Sequence, residues 1–391
     1  MSKLFMFEKP IGMRDTLPHM YVTKKNVREQ LEHEMASWGY QMIETPTLEY
    51  YETVGAESAI LDQQLFKLLD QQGHTLVLRP DMTAPIARLV ASSLKGEAYP
   101  LRLAYGSTVF RAQQNEGGKP AEFDQVGIEL IGDGTVSADG EVISLMIAAL
   151  KRAGLSHFKV ALGHVGFVNA FLLEIVGSEQ RADSLRRFLY EKNYVGYREH
   201  VKNLPLSSID QGRLLGLLKL RGNEGTLDEA RKLVSSQQGL KAIEELSELL
   251  AVLESYGYAD YVKFDFNLVL HMSYYTGVVF EGYGGNLGVP LSSGGRYDEL
   301  LAKFDRPGQA TGFGIRLDLL IEALGETKGI EQTCILFSKE RRKEAFENAA
   351  SLREAGKAVV LQDIAGVVDV DAMSGQYEEV LYYIGAKKGE V

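Results

Sequence analysis

The sequence predicts an α+β protein: a mainly antiparallel sheet flanked by helices, broken by a helical insertion and followed by a small α/β appendage. Three observations lead there. Two alternating runs, YPLRLAYGSTVFRAQ (99–113) and AEFDQVGIELIG (121–132), flank a short polar, glycine-containing stretch, as in a long-looped hairpin. From about 168 to 258 the pattern turns to helical spacing between two strand-rich regions. After 325, strand and helix patterns alternate in a short tail.

In chain order, residues 21–38 place Val22, Val27, Leu31, Met35 and Trp38 near helical spacing, and Gly39 ends that helix. GYQMIETPTLEYYETVG (39–55) reads as one strand interrupted at Pro46, which suits a sheet edge or an interface. Asp139 is placed to cap a helix through Val142, Ile143, Met146, Ala149 and Leu150. KVALGHVGF (159–167) is a further strand, and the insertion carries helices in LSSIDQGRLLGLLKLRG and TLDEARKLVSSQQGLKAIEELSELLAVLES. Strands return at 264–283, GGRYDELLAKF opens a helix, and ATGFGIRLDLLIEALG is a strand running into a helix closed by Gly325. The tail reads strand (CILFS), helix (KERRKEAFENAASLREAG), strand (KAVVLQ), strand (EEVLYYIG). The expected domains are 1–325, with the insertion at about 168–258, and 326–391.

Composition narrows the function. With 391 residues the chain has room for two or three domains, and 45% hydrophobic with 24% charged residues is ordinary for a soluble globular protein. No apolar run approaches the roughly 18 residues of a membrane span. The start, MSKLFMFEKPIGMRD, lacks the apolar core and small-residue cleavage site of a signal peptide, so a cytoplasmic location is expected. Cys334 is the only cysteine, which rules out an internal disulfide and a thiolate metal cluster. A net charge of −11 disfavours a nonspecific polyanion binder. No cofactor or metal is implied.

Several residues suggest a polar pocket. Gln125 and Glu129 lie four apart in a strand and share a face with Gly127, a polar–small–polar stripe that suits the floor of a wet cavity. LHMSYYTGVVFEGY (270–283) alternates as a strand but opens with the adjacent pair Tyr274 and Tyr275, which a half-buried sheet position also explains. Asp81 in LRPDMTAP is by itself a turn residue, and Arg111 is by itself a charge at a strand end. Gly294, Gly295 and Arg296 mark either an anion-holding helix N-terminus or a plain loop.

GMRDTLP (12–18), LRPDMTA, VFRAQ with EFDQVGIELIG, YYTGVVFEGY, and SGGRYDEL with TGFGIRL occur in that order. Together they resemble histidyl-tRNA synthetase, a class II aminoacyl-tRNA synthetase, over roughly residues 10–325. The resemblance implies an antiparallel sheet flanked by helices, a helical insertion and a C-terminal α/β domain of the anticodon-binding kind. It implies that Tyr274 and Tyr275 wall a histidine pocket, and that Asp81, Thr83, Gln125 and Glu129 handle the amino-acid ammonium group. Arg111 matches an arginine that contacts the ATP α-phosphate.

The departures lie on the nucleotide side. Leu270, His271, Met272 and Ser273 stand where the synthetases carry Arg-Gly-Leu-Asp, Gln113 replaces a glutamate, and Leu319 replaces an arginine. Each lost charged donor costs ~10²–10³ in rate, so no aminoacylation is expected and no residue is assigned a catalytic role. The pattern resembles the synthetase-like regulatory subunits of ATP phosphoribosyltransferase. That resemblance implies a homodimer core within a hetero-oligomer containing the short-form catalytic subunit, with histidine as feedback effector. The tail is short for a full anticodon domain, so tRNA binding is not expected. An active synthetase and a stand-alone histidine-sensing module stay open as alternatives.

Overall fold

The computed structural model describes residues 8–58, 60–112, 120–270, 275–325 and 332–385. Two units are distinguished: Met1–Leu17 with Thr23–Glu326, and Pro18–Val22 with Thr327–Val391.

Helix α1 (Pro18–Ser37) begins at a proline, whose missing N–H is no loss in a first turn. Its stripe of Val27, Leu31 and Met35 is buried. The run expected as one strand broken at Pro46 is two short strands in different sheets. β1 (Gln41–Met42) pairs parallel with Leu103–Ala104, while β2 (Leu48–Tyr50) joins a three-stranded sheet with β3 (Lys67–Leu69) and β4 (Thr75–Leu78). Proline withholds a ladder donor, so the chain changes sheets there. After α2 (Thr83–Ala91), the expected hairpin forms from β5 (Leu101–Phe110) and β6 (Glu122–Ile131), in register from Leu101↔Ile131 to Phe110↔Glu122.

Helix α3 (Val136–Arg152) buries Val142, Ile143, Met146, Ile147 and Leu150, each removal from water contributing ~1.5–3 kcal/mol. Its cap is Thr135, whose side chain accepts the Ala138 N–H, and not the expected Asp139. Asp139 lies inside the first turn, 3% exposed, and pairs with Arg296 at 2.9 Å. β7 (Phe158–His164) stops earlier than the sequence suggested, because α4 (Val165–Val176) starts at once.

The insertion is helical as expected: α4, then α5 (Glu179–Tyr190), α6 (Tyr194–Asn203) and α7 (Ser208–Leu217). A two-residue strand β8 (Arg221–Gly222) precedes α8 (Gly225–Leu233) and α9 (Gln237–Ser255). The chain returns through β9 (Val262–Asp265), β10 (Val278–Gly284), β11 (Ser292–Arg296), β12 (Ala310–Arg316) and α10 (Leu317–Leu324). Gly325 closes α10 in the left-handed region at φ 75°, as expected. Gly294 and Gly295 sit within strand β11, so they open no helix and form no helix-terminal anion site; only a short 3₁₀ turn, Leu301–Phe304, follows. The main sheet has nine strands in the order β1-β5-β6-β12-β11-β10-β7-β9-β8, antiparallel except at β1/β5 and β7/β9.

The second unit carries a parallel sheet, β14 (Val359–Asp363) and β15 (Glu379–Tyr383) on either side of β13 (Thr333–Phe337). Helix α11 (Arg342–Glu354) buries Ala345 and Ala349 against it, and a short α12 (Val370–Ser374) precedes β15. No helix among the described residues is long and apolar enough to cross a membrane.

Candidate functional site

The site begins with the alternation of β6. Gln125, Gly127 and Glu129 share a face, and the register sets Glu129 opposite Gly312, Gly127 opposite Gly314 and Gln125 opposite Arg316. One strand further, Gly312 lies opposite Gly295. The floor is therefore almost bare backbone, and neighbouring side chains lie across it. A Cβ at Gly314 would come within 1.7 Å of Gln125 Nε2, one at Gly312 within 1.9 Å of Glu129 Oε2, and one at Gly295 within 2.9 Å of the Tyr275 ring. On the opposite side of β12, Phe313 and Ile315 are buried.

Two carboxylates line this cavity. Glu129 is 2% exposed and accepts the Thr83 hydroxyl at 2.8 Å and the Tyr297 hydroxyl at 2.5 Å. Burial, reinforced by the nearby Asp81 charge, pushes its carboxyl up to about 8 despite those two donors. Asp81, also 2% exposed, accepts the Ala84 N–H at 3.2 Å at the start of α2, and the Ser58 hydroxyl. Tyr105 and Tyr275 complete the wall, and burial followed by the charge of Glu129 raises both phenols. Gln125 Oε1 is buried and accepts no hydrogen bond among the described residues.

Two arginines also line the cavity. Arg111 donates its Nε to Pro80 O at 2.9 Å and lies 5.4 Å from the Phe123 ring centroid. Arg316 lies 4.3 Å from the same centroid and pairs with Asp318 at 2.8 Å. The cavity these residues line measures about 90 Å³, where a single water needs ~10–15 Å³ on the same measure.

The structure thus gathers Asp81, Thr83, Gln125, Glu129, Tyr275 and Arg111 around one cavity. Tyr274, with His271, Met272, Ser273 and Gln113, lies outside the described residues. Leu270 lines a different cleft with Leu61, Tyr190 and Val269, and Leu319 lies on α10 away from this cavity's lining. Arg79 is buried, and its guanidinium bonds the carbonyls of Thr108 in β5 at 2.8 Å and of Thr45 in the β1–β2 connection at 2.7 Å, a structural tie. Tyr297, Tyr105, Phe123 and Arg316 were not singled out from sequence. The two-residue spacing of Gly312 and Gly314 was the available signal: it mirrors Gln125-x-Gly127-x-Glu129 and marks a second strand with an empty face.

Comparison with known proteins agrees with this architecture. Residues 12–320 match the histidyl-tRNA synthetase family, and residues 334–385 match the histidyl-tRNA synthetase HisZ C-terminal domain. An ATP phosphoribosyltransferase regulatory subunit from Halalkalibacterium halodurans is 73% identical over 98% of both chains. A crystal structure described as an ATP phosphoribosyltransferase regulatory subunit/histidyl-tRNA synthetase from Bacillus halodurans C superposes with TM-score 0.90 at 72% identity, covering 98% of this chain and 100% of that one. Histidyl-tRNA synthetase from Nostoc sp. PCC 7120 shares the fold, with TM-score 0.78 at 20% identity over 94% of this chain and 88% of that one.

Proposed function

This chain belongs to the histidyl-tRNA synthetase family, in its branch of ATP phosphoribosyltransferase regulatory subunits, and from that premise we propose that it senses histidine on behalf of a catalytic partner. Its work is regulatory and not catalytic, and the partner is the short-form ATP phosphoribosyltransferase subunit of histidine biosynthesis. Histidine occupies the cavity of Asp81, Thr83, Gln125, Glu129 and Tyr275, with Tyr274 beside them, and acts as feedback inhibitor of the assembled complex. The two proteins work in the cytoplasm. Residues 1–325 form the sensing domain and 326–391 a reduced anticodon-domain relative.

The observation that carries this reading is the division of the site. The polar groups suited to an amino acid converge on one glycine-lined floor. Leucines stand at positions 270 and 319, where the synthetase resemblance calls for arginine. Inhibition through such a site requires histidine to bind two conformations of the complex with different affinity; a coupling of ~1–3 kcal/mol corresponds to about 5–150-fold.

We also read a homodimer core from the family. The apolar stripe of α1, Val27, Leu31 and Met35, is covered within the chain. An exposed apolar face lies on the small sheet, where Leu48, Tyr50 and Leu68 are 45%, 51% and 45% exposed.

The test is the activity of the catalytic subunit assayed alone, with this protein, and with its Glu129→Gln variant, across a histidine titration. Activation by both forms with feedback lost in the variant supports the reading. Inhibition unchanged in the variant places the histidine site elsewhere.

A further inference from the structure

Resting on that reading of the cavity as an amino-acid site, we propose that Arg316 is its anion-binding residue and takes the ligand's α-carboxylate. The register of β12 against β6 sets the layout. Gly312 stands opposite Glu129 and Arg316 opposite Gln125, four residues on and so about 13 Å along the strand at ~3.3 Å per residue. Asp81, Glu129, Arg111 and Arg316 all line the one cavity. An α-amino acid carries its ammonium and its carboxylate on one carbon, so a ligand whose ammonium meets the unpartnered Gln125 Oε1 brings its carboxylate beside Arg316, the residue opposite Gln125 in the register.

The guanidinium is also held ready. Asp318 fixes two of its three nitrogens, Nη2 at 2.8 Å and Nε at 3.4 Å, and the Phe123 ring lies 4.3 Å beneath it. The third nitrogen, Nη1, donates to no acceptor among the described residues. A planar fork oriented in advance loses little freedom when it binds a carboxylate. The nearby buried arginines are differently employed. Arg79 bonds two backbone carbonyls, and Arg296 bonds Asp139 together with the carbonyls of Asp133 and Thr135. The competing explanation is a partly exposed ion pair at the start of α10, an arrangement of little energetic weight. That explanation predicts no discrimination between ligands with and without a carboxylate.

The experiment is calorimetric titration of the full-length protein and its Arg316→Met variant with histidine and with histidinol, in which a hydroxymethyl group replaces the carboxylate. The expected result is a loss of about 10- to 100-fold for histidine in the variant, with histidinol affinity unchanged within about twofold and Arg316→Lys intermediate for histidine. Retained histidinol binding certifies that the variant's cavity is folded. Unchanged histidine affinity in Arg316→Met overturns the inference, as does an equal loss for both ligands, which marks a purely structural role. Histidinol bound as tightly as histidine by the unaltered protein also overturns it. An unaltered protein that binds neither ligand overturns the reading of the cavity, and the inference falls with it.

Discussion

Replacing Glu129 by glutamine keeps the shape of the side chain and removes its titration. In the folded protein the carboxyl sits at about 8, against an ordinary value of 4.5. Between those two values the native state holds a proton that the unfolded chain has released, so stability falls as pH rises through the window. The contribution is fully present below pH 4.5 and gone above about pH 8. That gap corresponds to about 5 kcal/mol at ~1.36 kcal/mol per pH unit, an upper figure for a group that relaxes when it ionises. Glutamine keeps an acceptor for one of the hydroxyls of Thr83 and Tyr297 and offers an N–H to the other. Its own cost or gain is independent of pH. Urea unfolding of both proteins at pH 5, 7 and 9 is the assay. Trp38, the only tryptophan, stacks on Tyr256 at 5.7 Å and reports the unit that holds Glu129. The variant is expected to gain about 2–5 kcal/mol on the unaltered protein between pH 5 and pH 9. Parallel pH profiles would refute the reasoning, because they mean Glu129 is ionised and solvated in the native state.

Asp139→Ala removes the shorter of the two carboxylate contacts of the buried Arg296 guanidinium and leaves Asp298 at 3.3 Å, so a loss of ~1.5–3 kcal/mol is expected in the same unfolding assay. Leu68→Glu places charge on the exposed face of the small sheet. It is expected to weaken self-association by about two to three orders of magnitude in Kd, measured by light scattering over a dilution series.

The strands that build the floor were legible from the alternation of residue types along β5 and β6, although in the fold both faces of β6 and β12 are buried over most of their length. The same logic located Gln125 and Glu129. Local signals misled where a residue serves a distant partner. Gly294-Gly295 looks like a turn, yet both sit in strand β11, and they are glycine because Phe280, the Gly312 carbonyl and the Tyr275 ring occupy the space of any Cβ there. Asp139 looks like a helix cap, but its partner is Arg296, 157 residues away. Tyr297 and Arg316 join the site only through strand register and a long-range hydroxyl bond, relations that no local window contains.

The bare floor has an evolutionary consequence, and its two central glycines differ in it. At Gly312 a Cβ would also meet the Ile128 carbonyl at 2.5 Å, so the sheet itself demands glycine there. At Gly314 the nearest obstacles all belong to the Gln125 side chain, which can swing aside. Alanine at that position would recover the ~0.5–1 kcal/mol that glycine forfeits inside a strand, and it would fill the hollow. A lineage relieved of catalysis has that one-codon route to a firmer, solid protein open to it, and this chain has not taken it.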